Sequence, residues 1–147
     1  MSVLHCDGVG DFAAFSGRDS VKNDPAAVAF PNVGPLPPGR YYIVDRGSGG
    51  LFSHIRGFFM DHANHTDRKK WFALYRDDGN VDDWTFINGA TRGLFRLHPH
   101  GLANVSEGCI TLADVPAYYR LRDHLLRATP IAIPGGKGLA YGTVEVQ

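Results

Sequence analysis

The sequence predicts a mostly β domain with minor α: a sheet curled on itself that carries one principal helix. Three observations predict it. Glycine at 18 and proline at 9 of 147 residues exceed average usage, so the chain turns often. Aromatic and β-branched residues are too plentiful for a disordered chain. Helical spacing appears convincingly in one stretch, while short apolar runs bounded by Gly, Pro, Asn and Asp recur elsewhere.

The strand-like runs are 11–15, 39–45, 71–76, 84–87, 93–98, 130–134 and 143–146. The segment GPLPPGRYYIVDRGSGG is a rigid proline turn that leads into a strand and leaves through a glycine loop, with Tyr41, Ile43 and Asp45 on one face. Residues 61–70, DHANHTDRKK, are polar without period, and 77–83, DDGNVDD, are a turn of like charges, so both read as solvated loops. The helix begins at Asp114, a capping residue. Pro116 is tolerated in its first turn, where N–H groups lack intrahelical partners, and Val115, Tyr118, Leu121 and Leu125 line one side. No repeat, heptad or low-complexity tract interrupts the chain, which reads as one domain over 1–147.

Charge and composition exclude several classes. Fifteen basic residues balance fifteen acidic ones, so no global field draws the protein to nucleic acid or to acidic lipid. No uncharged stretch approaches the roughly 20 apolar residues that cross a bilayer, and the start, MSVLHCDGVGDF, lacks the basic and apolar regions of an export signal. Neither nucleic acid nor membrane is an expected partner. Cys6 sits near the terminus without surrounding pattern and reads as an ordinary free thiol rather than half of a disulfide with Cys109. Asp61, His62 and His65 supply no closed ligand set at a recognised metal spacing.

The chemistry concentrates in FRLHPHGLANVSEGCITL, residues 95–112. On a strand, Phe95 and Leu97 face one way and Arg96 and His98 the other, which puts His98 on the face away from the core. Pro99 ends regular pairing, and a short loop returns the chain to Cys109. A thiol at neutral pH is only a few per cent thiolate, and an adjacent imidazole that takes its proton is the usual activating device. Gly108 leaves room for substrate at the backbone, and N–H groups around Gly108 and Cys109 are candidates to hold an oxyanion. Ser106 offers a hydroxyl to shape the turn or bind a substrate amide, and Arg96 either meets a substrate carboxylate or forms an exposed salt bridge. His100, just past the proline, competes with His98 for the role of base. Singly, Cys109 reads as a small buried hydrophobe and His98 as a satisfied sheet histidine. The combination of strand histidine, Ser-x-Gly-Cys-Ile turn and capped helix points instead to a nucleophile and its base.

That combination resembles the L,D-transpeptidase (YkuD-like) catalytic domain, with TPIAI at 129–133 similar to its closing strand. With FSG, GPLPPGRYYIVDR, WFALYRDDG and FRLHP before SEGCITL, the chain further resembles the L,D-transpeptidase effectors delivered by bacterial type VI secretion, over roughly residues 12–133. The resemblance implies attack by Cys109 on the L-centre carbonyl of meso-diaminopimelate in a peptidoglycan tetrapeptide, with release of D-alanine. Water or a D-amino acid then resolves the thioester. It also implies synthesis without a signal peptide, passage through the type VI apparatus, action in a target cell's periplasm, and a cognate immunity protein. The thiol, imidazole and backbone N–H groups call for no cofactor or metal. Glu107 and Thr111 depart from the histidine and the arginine or asparagine that many members carry at those places. Two other classes remain open from sequence. One is a cell-wall cysteine peptidase or amidase of NlpC/P60 type, in which the cysteine precedes its histidine. The other is a non-catalytic peptidoglycan-binding module.

Overall fold

The computed structural model describes residues 1–46, 67–101 and 106–147. The glycine loop after Asp45 and the residues Asp61, His62 and His65 lie outside them. The described part is mostly β with a single α-helix, as expected.

Seven strands form one curled sheet: β1 (Ser2–Cys6), β2 (Gly10–Phe15), β3 (Gly39–Asp45), β4 (Phe72–Arg76), β7 (Arg96–Pro99), β8 (Ile110–Leu112) and β11 (Gly142–Val146). Their spatial order is β1-β2-β8-β7-β4-β3-β11. Two hairpins stand apart from the sheet: β5 (Trp84–Ile87) with β6 (Ala90–Gly93), and β9 (Ile131–Ala132) with β10 (Leu139–Ala140). Of the expected runs, 39–45 and 84–87 coincide with strands. The run 93–98 instead divides between the end of β6 and β7, because Leu94 takes a positive φ of 57° that breaks the extended path.

Every neighbouring pair in the large sheet is antiparallel except β7 and β8, which run parallel in the register Leu97↔Ile110, His98↔Thr111 and Pro99↔Leu112. Registered residues of parallel strands point to the same face, so this one pair decides which side chains meet.

The helix α1 (Val115–Arg127) follows β8 directly. Asp114 caps it, accepting from the Ala117 N–H at 2.6 Å, and Pro116 occupies the first turn, where it displaces no intrahelical bond. Tyr118, Leu121 and Leu125 bury against Leu97, Ile110, Leu112, Tyr41 and Ile43 to build the principal core. The Tyr118 hydroxyl donates to the Lys70 carbonyl at 2.6 Å and ties the helix to the start of β4. A second cluster, Tyr42, Val44, Ala73, Val81, Ile133 and Ala140, covers part of the opposite face. β3 is therefore buried on both faces, and its alternation of Tyr41 and Ile43 against Tyr42 and Val44 separates two cores rather than core from solvent. Of the aromatic residues in the strands, Tyr41, Tyr42 and Phe72 are buried, whereas Trp84 and Phe86 on the β5–β6 hairpin are 52% and 69% exposed.

Candidate active site

Cys109 ends the turn that enters β8, and the β7–β8 register carried back from Leu97↔Ile110 sets it beside Arg96. Arg96, His98, Cys109 and Thr111 then share one face, opposite the face on which Leu97 and Ile110 pack against α1. On ideal strands the lateral step of ~4.8 Å and the two-residue rise of ~6.6 Å place the Cα atoms of His98 and Cys109 about 8 Å apart.

The orientation of the imidazole is specified on three sides. Its Nδ1 donates to the Pro99 carbonyl at 2.8 Å, which leaves the lone pair on Nε2. The Thr111 hydroxyl stands 3.3 Å from Nε2 and donates to that lone pair. Trp71 stacks on the ring at a centroid distance of 4.1 Å and 17° between planes, and the guanidiniums of Arg68 and Arg46 lie 5.0 and 5.5 Å from the Trp71 ring centre.

Burial governs both members of the candidate pair. His98 is 5% exposed and Cys109 8%. Burial pushes the His98 imidazole down to about 4, with the charges of Arg68, Arg46 and Arg96 acting in the same direction against the Pro99 carbonyl. Burial pushes the Cys109 thiol up to about 11, although the charge and backbone N–H of Arg96 favour the thiolate. At neutral pH the pair therefore rests as thiol and neutral imidazole, not as an ion pair.

The turn itself is tightly specified. The Ser106 hydroxyl, buried, donates to the Cys109 carbonyl at 2.8 Å, so it shapes the turn. Gly108 has φ of +92°, and the place a Cβ would take is already filled: Arg92 Nη2 at 2.5 Å, Phe95 Cε1 at 3.1 Å and the Gly34 carbonyl at 3.3 Å. Protein thus occupies the side-chain space at this glycine, which serves conformation and packing there. Arg96 differs from expectation too. Its two terminal nitrogens reach Asp83 at 2.6 and 2.8 Å and one also meets the Phe95 carbonyl, so the ion pair is buried rather than exposed and is turned away from solvent. His100 is exposed, with Nδ1 3.1 Å from the Gly101 carbonyl. Cys6 and Cys109 are both free thiols.

Sequence reasoning missed four neighbours of the candidate pair: Trp71 stacked on the His98 ring, Thr111 on its Nε2, Asp83 as the anchor of Arg96, and Arg92 behind the turn. Thr111 had a signal, since two residues past Cys109 on a strand it must share the cysteine's face. The other three come from distant segments and had none. Among the described residues no group of His, Cys, Asp and Glu is placed to hold a metal ion. A cavity of about 330 Å³ lies beside the β5–β6 hairpin, lined by Asp78, Asp82, Trp84 and Phe86 among others, and neither Cys109 nor His98 lines it. No helix among the described residues is long and apolar enough to cross a membrane.

No curated protein and no solved structure matches the chain. A family model described as the Tlde1 domain matches residues 10–136, a span that runs from β2 past α1 and includes every residue of the site. The chain belongs to the Tlde1 domain family of antibacterial effectors of type VI secretion.

Proposed function

We propose that the protein is a cysteine L,D-carboxypeptidase and L,D-transpeptidase that acts on peptidoglycan tetrapeptide stems in the periplasm of a target bacterium. The observation that carries the reading is the shared face of His98 and Cys109 across parallel β7 and β8, with Nδ1 held by the Pro99 carbonyl and Nε2 turned toward β8, 3.3 Å from the Thr111 hydroxyl.

In this reading Cys109 Sγ attacks the L-centre carbonyl of meso-diaminopimelate as His98 Nε2 takes the thiol proton. The neutral resting pair means that proton transfer accompanies carbon–sulfur bond formation instead of preceding it, since burial disfavours both charges until the oxyanion shares them. Backbone N–H groups of the Gly108–Cys109 turn hold the oxyanion. The imidazolium returns its proton to the departing D-alanine nitrogen, leaving a Cys109 thioester. Water resolves it to a tripeptide, or the amine of a D-amino acid resolves it to an exchanged tetrapeptide, with His98 again taking a proton. The pair of thiol and imidazole supplies nucleophile and base without a cofactor. The effector family supports action on a competitor's wall, and a cognate immunity protein protects the producer.

The test is incubation of the protein and of Cys109→Ala with disaccharide-tetrapeptide, with and without an added D-amino acid, followed by mass spectrometry. Loss or exchange of one D-alanine that requires Cys109 supports the reading. An unchanged tetrapeptide under reducing conditions excludes it and favours a binding module or a different amide substrate.

A further inference from the structure

Behind the nucleophile turn lies a buried cation, Arg92. Arg92, on β6, is 3% exposed. Its guanidinium donates to the carbonyls of Val28, Gly34 and Pro35, with the Gly34 contact at 3.0 Å and those to Pro35 at 3.3 and 3.4 Å. It also lies over the Phe95 ring at 5.4 Å. Its Nη2 and the Gly34 carbonyl it holds are two of the three atoms that close the space beside Gly108. No carboxylate pairs with this guanidinium in these contacts; backbone carbonyl dipoles satisfy it, so its full positive charge persists next to the turn. The nearby Arg96 guanidinium, by contrast, is held by bidentate Asp83.

We propose that Arg92 is a positioning residue for the Cys109 reaction: its guanidinium clamps the 28–35 loop against Gly108 and supplies an uncompensated positive charge behind the turn where thiolate and oxyanion form. The proposal rests on Cys109 being the nucleophile. Its chemistry is that of a preorganised charge, fixed before reaction and therefore without reorganisation at the moment the sulfur and the carbonyl oxygen become negative. The charge of a Cys109 thiolate favours the charged Arg92, the direction this requires, while Arg96 is the cation that acts most on the thiol itself. The other charged groups that face the thiol are Arg96 from β7, Glu107 from the turn and Arg68 from the segment before β4. Glu107 is itself held by Arg18 Nη1 at 3.5 Å. Arg92 differs from them in filling the side-chain space at Gly108.

The experiment compares the unsubstituted protein, Arg92→Lys and Arg92→Gln in two assays. The first is the pH dependence of Cys109 alkylation by iodoacetamide, with Cys6→Ser in every background so that one thiol reports. The second is kcat and KM on tetrapeptide. Arg92→Gln is expected to move the alkylation midpoint up by about one unit, a tenfold loss of thiolate at fixed pH. It should also lower kcat at least tenfold with KM little changed. Arg92→Lys, which keeps charge but not the fork, restores the alkylation midpoint while kcat stays partly reduced. An Arg92→Gln protein with unshifted alkylation, or a Lys variant as shifted as Gln, overturns the proposal and leaves Arg92 as packing alone. If Arg92→Gln does not fold, side-chain ¹⁵N spectra of the unsubstituted protein decide. The Arg92 resonance moves as Cys109 ionises and stays still in Cys109→Ser, and a resonance that never moves overturns the proposal. Active, readily alkylated starting protein separates these outcomes from failure of the enzymatic reading, in which the unsubstituted protein itself leaves tetrapeptide intact.

Discussion

His98 makes the protein's stability depend on pH in a window where an ordinary surface histidine would be silent. Burial lowers its pKa from 6.5 to about 4, and the neighbouring charges of Arg68, Arg46 and Arg96 act in the same direction. Below pH 6.5 the unfolded chain takes up a proton that the folded one refuses, so stability is complete above 6.5 and is lost as pH falls toward 4. A difference of about 2.5 units at 1.36 kcal/mol each amounts to about 3 kcal/mol. For a chain of 147 residues that corresponds to a Tm lower by about 10 °C. Urea unfolding of the protein and of His98→Gln at half-unit steps from pH 4 to 7.5 isolates the contribution, because other titrating groups cancel in the difference. The stability difference between the two should change by about 3 kcal/mol across that window, with the unsubstituted protein losing more on acidification. Parallel curves would refute the buried, neutral imidazole and with it the account of why the resting pair carries no charge.

Three further outcomes follow from the geometry. Asp83→Ala leaves the Arg96 guanidinium buried without its carboxylate and should cost about 3–5 kcal/mol in urea unfolding, with Asp83→Asn costing less. Gly108→Ala forces a side chain into a φ of +92° and against Arg92 Nη2, for about 2–4 kcal/mol of strain and overpacking, read as a lower Tm together with loss of turnover. His98→Ala should reduce kcat on tetrapeptide by about 10²–10⁴-fold, the range of a lost general base, whereas His100→Ala should stay within about threefold because that ring is exposed and hydrogen-bonded to the Gly101 carbonyl. A comparable loss in the His100 variant would transfer the base role to it.

Much of this was legible in the chain because its causes are local. Helix α1 announces itself through an Asp114 cap, a proline in the first turn and apolar residues at helical spacing, all within fourteen positions. The strands at 39–45 and 84–87 are bounded by turn residues and filled with aromatic and β-branched ones. The candidate pair of His98 and Cys109 is close in sequence, and alternation along β7 predicts the imidazole's face. The shortest elements were not legible. β8, with three residues, exists because β7 and β2 flank it, and β1 at the terminus exists because β2 pairs along its length. Such strands owe their conformation to partners more than to their own propensity.

The same division runs through the site. Sequence by itself determined the candidate pair of His98 and Cys109, the capped helix behind them and a mostly β scaffold, because each depends on residues a few positions apart. Tertiary structure decided that a parallel β7–β8 pair aligns His98 with Thr111, that Trp71 lies beneath the imidazole, that Asp83 buries Arg96 and that Arg92 fills the space at Gly108. Those contacts join segments separated by many residues, and what brings them together is the order of strands in the sheet. Burial, the cause of both displaced pKa values, is likewise a property of what packs over a residue rather than of its neighbours along the chain.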